Sequence, residues 1–361
     1  MENPVTSIER FSTDSLMQSV FRDHYALDAE KLESLYSKSK RHQWNAELDV
    51  DWDAYDPSSD VLDRSRDFLS RLDCVRELPE DLQSRLFREA ATFTLSQVLH
   101  GEQAALMVCG QLVNVVPDLD GKFAAAVQVM DEARHVEVFA RYLDKVGRRY
   151  PIDPDLKAIV EQILAESDWE AKCVGMQVIL ESVALGFFRS GVEMAREPVL
   201  ASFIGNVHED EARHVAYGVL SLEARIPNLP DEARQRLENL AYESVLRIAG
   251  RGGKPSFTTQ WTALQTAGVD TATFIPKLLE EVTNPAGLDL EGLEEPMTRT
   301  VLPNLLRVGL IPDRLLLGYQ AQGWKIDRAA GTIEDQHSWH ADTQAARAEL
   351  AERGKTIAQP D

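Results

Sequence analysis

The hexapeptide Asp-Glu-Ala-Arg-His-Val stands twice in this chain, at 131–136 and at 210–215. Each copy sets a Glu and a His three residues apart, Glu132 with His135 and Glu211 with His214. On a helix, that spacing puts both side chains on one face, where they can address the same ion. A further Glu precedes each copy at a fixed distance: Glu102 lies 30 residues before Glu132, and Glu181 lies 30 residues before Glu211. The whole unit therefore recurs with an offset of 79 residues. Four carboxylates and two imidazoles in this order match the inward-facing donors of a dimetal site in a four-helix bundle.

Helix geometry supports the pairing. Between Glu102 and Glu132 the helical pattern breaks once, at Pro117-Asp118-Leu119-Asp120-Gly121, and between Glu181 and Glu211 it breaks at Arg196-Glu197-Pro198. Both breaks fall near the midpoint, leaving legs of about 14 residues, or roughly 20 Å at 1.5 Å per residue. Two antiparallel legs of equal length return the chain to the same height, so each upstream Glu faces the Glu-x-x-His that follows it. A single Glu-x-x-His is more often an ion-paired surface face. Two identical copies with matched glutamates and midpoint turns reverse that preference. The glutamates also sit in apolar stretches, where an unpartnered carboxylate is costly to bury.

The rest of the chain reads as helix. Pro79-Glu80-Asp81 opens a long apolar-periodic segment carrying Glu102. A second covers 120–147, a short one 155–166, a third long one 168–195 and a fourth 198–225. Further helices are expected at 14–36, 229–250, 258–283, 293–309 and 312–322, with one more in the tail beyond Gly323. Strand-like alternation is scarce. The expected fold class is all-α: a four-helix bundle over 80–226, a helical and irregular N-terminal extension over 1–79, and a C-terminal helical extension with a polar tail over 227–361.

A net charge of −21 argues against a nucleic-acid partner. The three cysteines, Cys74, Cys109 and Cys173, are scattered and odd in number, as expected in a reducing compartment. The Met1-Glu2-Asn3-Pro4 start carries no basic region followed by an apolar run, and no stretch of eighteen apolar residues occurs. A cytoplasmic protein without a membrane span is expected.

Hard carboxylates with imidazoles, and no thiolate in the motif, suit iron or manganese. The favoured assignment sets Glu102, Glu132 and His135 on one metal and Glu181, Glu211 and His214 on the other, with one or two glutamates bridging. A metal-bound imidazole needs its second N–H held by a carboxylate. Asp131 and Asp210 are placed for this, each serving the His of the opposite copy, and Arg134 and Arg213 are candidates to complete the network. Residues one turn from the ligands, Val98, Ala105, Leu106, Gln177, Leu185 and Phe188, would line a largely apolar substrate pocket, or form ordinary core.

The order Glu, Asp-Glu-x-Arg-His, Glu, Asp-Glu-x-Arg-His over about 85–225 resembles the ferritin-like diiron carboxylate superfamily. Its oxygen-activating branch is most similar: multicomponent monooxygenase hydroxylases, ribonucleotide reductase small subunits and diiron N-oxygenases. The resemblance implies two Fe ions, or a Mn/Fe pair, with O2 as co-substrate and a small organic molecule oxidised beside them. It also implies electrons from a separate ferredoxin or reductase, since the chain has no dinucleotide fingerprint or cysteine cluster, and a homodimer. Departures narrow the choice. Phe139 stands where the reductase subunits carry their radical tyrosine, and Tyr142 and Tyr217 lie at other offsets. Leu185 stands where methane- and toluene-type hydroxylases carry a hydroxyl residue. The p-aminobenzoate N-oxygenase type adds a histidine one turn before the last Glu. His208 lies one position from that place, and remains open as an extra ligand or a more peripheral histidine. Ligand-binding or radical-generating oxidases, and metal-handling ferritin-like proteins without an organic substrate, are the alternatives.

Overall fold

Two of the long bundle helices begin at a side-chain cap, which helps set the levels of the donors. In the computed structural model, which describes residues 11–21, 23, 25, 27–249, 258–283, 296–335, 344, 345, 348 and 349, α1 spans Glu30–Arg41, and a short α2, Asp73–Arg76, precedes α3, Glu80–Val115. The turn at 116–118 leads into α4, Leu119–Val146, whose Asp118 side chain accepts from Gly121 N–H at 2.6 Å. Gly147, at φ +84°, ends it in the left-handed region that favours glycine. α5 (Pro154–Ala165) follows.

α6 (Trp169–Cys173) runs without a break through a π-helical segment, Val174–Leu180, into α7, Glu181–Met194. Glu197 then caps α8, Pro198–Glu223, by accepting from Leu200 N–H at 3.0 Å. Beyond the bundle lie α9 (Asp231–Ile248), α10 (Thr258–Ala267), α11 (Thr271–Thr283), a second π segment, Met297–Val301, continuing into α12 (Leu302–Arg307), and α13 (Asp313–Ala321).

The fold is all-α, with α3 packed along α4, α7 along α8, and α4 against α8. Several expected boundaries need correction. The helix expected at 14–36 begins only at Glu30. Before it the chain is a strap whose backbone donors find tertiary partners: Val20 N–H bonds the Asn114 carbonyl at 2.8 Å, and the Asp28 and Ala29 N–H groups bond Asp120 Oδ2 at 2.9 and 3.2 Å. The helix expected at 258–283 breaks at Gly268, φ +88°, and Asp270 starts the next one by accepting from Ala272 N–H at 3.2 Å. After Gly323 the chain forms a hairpin of β1, Trp324–Asp327, and β2, Thr332–Asp335. Trp324 is fully buried there, anchoring the hairpin on the core. Most of the tail beyond lies outside the described residues.

Two apolar clusters fill the bundle. One gathers Ala104, Val108, Leu112, Ala125, Val178 and Leu222 with the C-terminal helices. The other gathers Leu95, Leu99, Val138, Phe139, Phe188 and Phe203 toward the opposite end. Glu102, Glu132, His135, Glu181, Glu211 and His214 fall between these two sets along every helix. Among the described residues, only Trp169–Met194 is long and apolar enough to span a membrane, and 72% of its apolar window is buried inside the fold, as for a core helix.

Candidate metal centre

Glu102 projects from the middle of α3, Glu132 and His135 from α4, Glu181 from the first position of α7, and Glu211 and His214 from α8. All six are buried. Donor atoms of Glu102, Glu132, His135 and Glu211 lie within 4.8 Å of one another, and so do those of Glu132, Glu181, Glu211 and His214. The groups overlap at Glu132 and Glu211, the two carboxylates of the repeated hexapeptide. His135 Nδ1 is 3.1 Å from Glu102 Oε2 and 3.1 Å from Glu211 Oε1. His214 Nδ1 is 3.0 Å from Glu132 Oε1 and 3.2 Å from Glu211 Oε2. Each imidazole thus faces the shared carboxylates of both copies, with 5.7 Å between ring centroids.

The other ring nitrogens reach across the pseudo-repeat. His135 Nε2 is 3.1 Å from Asp210 Oδ2, and His214 Nε2 is 3.4 Å from Asp131 Oδ2. Arg134 joins the two aspartates, donating to Asp131 at 2.6 Å and to Asp210 at 2.9 Å, and Arg213 pairs with Asp210. Two residues from the N-terminal extension close this layer. Gln43 donates to Asp131 and accepts from Arg134, both at 2.8 Å, and Trp44 donates from its indole to Asp210 at 2.7 Å beneath the Arg134 guanidinium.

Gln128 is a third residue that sequence reasoning missed. Its amide donates to Glu132 Oε1 and Glu181 Oε1, both at 2.9 Å. It lies one turn before Glu132, and a search for polar residues on that face would have found it. Gln43 and Trp44 carry no such signal, because they meet the site only through the tertiary fold. Nor does the sequence pattern betray the π segment that delivers Glu181, a common insertion at functional sites.

The electrostatics follow from burying so many carboxylates together. Burial, reinforced by the Glu211 charge, pushes the Glu102 and Glu181 carboxyls well above the usual range. Burial pushes the same way at Glu132, but the neighbouring imidazoles outweigh it and hold that carboxyl well below. For His135 and His214, burial favours the neutral ring, and the surrounding carboxylates overcome it and raise both. Two divalent cations would balance four carboxylates with both imidazoles neutral. Glu132 Oε2 and Glu211 Oε1 are buried with no well-aligned hydrogen bond, His135 Nδ1 standing 3.4 and 3.1 Å away, and are acceptors that such cations would satisfy. The donor set fits the metals.

The other expected residues are placed differently. His208 is half-buried and belongs to neither donor group. Ala105 and Phe188 are buried in opposite clusters, and the fully buried Gln177 donates to Cys109 Sγ at 3.2 Å. Val98 and Leu185 are partly buried at cluster edges, and Leu106 is partly buried. A cavity of about 420 Å³ opens farther along α3 and α7, lined by Leu62, Phe68, Ala91, Thr94, Phe187 and Met194 among others, and by none of those six. Thr94 precedes Glu102 by two helical turns, about 12 Å at 1.5 Å per residue.

The family described as P-aminobenzoate N-oxygenase AurF matches residues 27–255. Comparison with curated proteins gave no match. Among solved structures, the chain is similar to an R2-like ligand-binding oxidase with an aerobically reconstituted metal cofactor after photoconversion, at 18% identity and TM-score 0.46, over 81% of this chain and 99% of that one. It is also similar to an R2-like ligand-binding oxidase with an aerobically reconstituted Mn/Fe cofactor, at 19% identity and TM-score 0.44, over 81% and 99% of the two chains.

Proposed function

The chain belongs to the P-aminobenzoate N-oxygenase AurF family and is an oxidoreductase, and from that membership we propose that it is an O2-dependent dimetal oxygenase of a small organic substrate. The observation that carries the reading is the pair of overlapping buried donor groups sharing Glu132 and Glu211. Glu102 and His135 complete one metal position, and Glu181 and His214 the other. Two iron ions, or a Mn/Fe pair, held by these residues would supply reducing equivalents for activating O2 toward hydroxylation or N-oxygenation.

The chain's own residues set the conditions. Asp210 and Asp131 hold the Nε2 side of the two imidazoles, which leaves Nδ1 directed at the shared carboxylates. Arg134 keeps both aspartates paired. The two apolar clusters exclude bulk water from either side. The cavity along α3 and α7 is of a size for a small aromatic or aliphatic molecule and supports an organic substrate over storage of iron alone. Metals held there would need electrons from outside the site, so the reading includes a separate ferredoxin or reductase. The exposed Leu16 and Phe21 of the strap support a homodimer. A cytoplasmic setting and the division of the chain at 79 and 226 belong to the same proposal.

Anaerobic Fe(II) loading of the metal-free protein, followed by an O2 pulse, tests the reading by Mössbauer and visible spectroscopy. About two irons per chain and O2 uptake stimulated by substrate are expected. Many irons per chain would point to storage, and none would remove the dimetal site. In Glu132→Ala the carboxylate common to both groups is gone, and the two-iron stoichiometry should be lost.

A further inference from the structure

The 79-residue duplication makes the donor set pseudo-symmetric: Glu102 corresponds to Glu181, Glu132 to Glu211, His135 to His214 and Asp131 to Asp210. One buried position beside the donors breaks that symmetry. Gln128 corresponds to Val207. Gln128 is buried, and its amide ties Glu181 Oε1 at 2.9 Å. Val207 is fully buried in the apolar cluster and has no hydrogen bond to offer.

From this we infer that Gln128 makes the two metal positions unequal, so that the Glu102–His135 position fills first and the Glu181–His214 position binds more weakly. The inference rests on the dimetal reading. An ion entering beside Glu181 meets a carboxyl oxygen that already accepts from the amide, and a hydrogen bond in a buried site is costly to disturb. Gln128 also donates to Glu132, but Glu132 belongs to both donor groups, so that bond cancels in the ratio of the two affinities. Glu102 is bonded instead by the His135 imidazole, which belongs to its own donor group.

His135 Nε2 faces Asp210 at 3.1 Å and His214 Nε2 faces Asp131 at 3.4 Å, so both imidazoles are held by the carboxylate of the opposite copy and Gln128 is left as the difference.

The test is anaerobic titration of the metal-free full-length protein with Co(II), read by its visible ligand-field absorption and by calorimetry. The wild type should bind in two steps. The tight step should survive Glu181→Ala and disappear in Glu102→Ala. Gln128→Met, close in shape and without the amide, should narrow the ratio of the two constants by about ten-fold, equivalent to about 1.4 kcal/mol. Adding Val207→Gln to Gln128→Met should reverse the order. Gln128→Leu serves if Gln128→Met does not fold, as judged by circular dichroism. Two ions bound with one constant, or an unchanged ratio in the amide-free variant, would overturn the role of Gln128. Total uptake below two ions in the wild type would instead sink the dimetal reading beneath it.

Discussion

Replacing Gly218 by alanine should destabilise the protein, whereas the same change at Gly205 of the same helix should stabilise it. Both glycines sit inside α8, where alanine is favoured over glycine by about 1 kcal/mol. At Gly205 an added Cβ meets nothing within 4 Å, so the backbone gain stands alone. At Gly218 it would lie 2.4 Å from Gln177 Cβ and 3.2 Å from the Gln177 carbonyl carbon. Neither atom is the free end of a side chain, so relief requires α8 and the π segment to separate by more than an ångström. Overpacking of this kind costs about 1–3 kcal/mol, and contact with main chain places Gly218→Ala near the upper end. After the helical gain, a net loss of about 2 kcal/mol remains, against a gain of about 1 kcal/mol for Gly205→Ala. Urea unfolding of the metal-free proteins measures the spread of about 3 kcal/mol. Gly218→Ala should also weaken metal uptake, because α8 carries Glu211 and His214 and the π segment leads directly to Glu181. A Gly218→Ala protein at least as stable as the wild type would refute the close approach.

Lys172 is fully buried and donates to Gln111 Oε1 at 2.6 Å and to the Ile163 and Leu164 carbonyls at 3.0 and 2.9 Å. Burial pulls its amine down to about 8, while in the unfolded chain it keeps its proton to about 10.4. The unfolded state therefore binds more protons between these values, and stability should rise with pH across that window. Lys172→Met should flatten this rise in unfolding midpoints taken at several pH values; an equal rise in the variant would assign it to other groups. Arg134→Met removes the cation that Asp131 and Asp210 share, while Asp210 keeps Arg213, so it should cost about 3 kcal/mol in chemical unfolding, the lower end for a broken buried pair. A loss below about 1 kcal/mol, the range of an exposed pair, would mean that the two aspartates do not depend on it.

The sequence by itself determined which helices exist and which side chains share a level. Hydrophobic periodicity, the turn residues at 117–121 and 196–198, and the spacing of Glu102 and Glu181 from their Glu-x-x-His partners are local or nearly local facts, and helix geometry converts them directly into position. It misjudged 14–36, where tertiary hydrogen bonds from Val20 and Asp28 hold the backbone as a strap, and it gave no sign of the hairpin after Gly323, where Trp324 is buried; farther along the tail, the described residues 344, 345, 348 and 349 are helical. Only the tertiary structure decided that Glu132 and Glu211 belong to both donor groups, because a carboxylate is shared through the rotation and separation of whole helices. The same holds for Gln43 and Trp44, which reach Asp131 and Asp210 from 88 and 166 residues away. The repeat fixed a symmetric set of ligands. Packing at Gln128 and Val207, one polar and one apolar, decides that their surroundings differ.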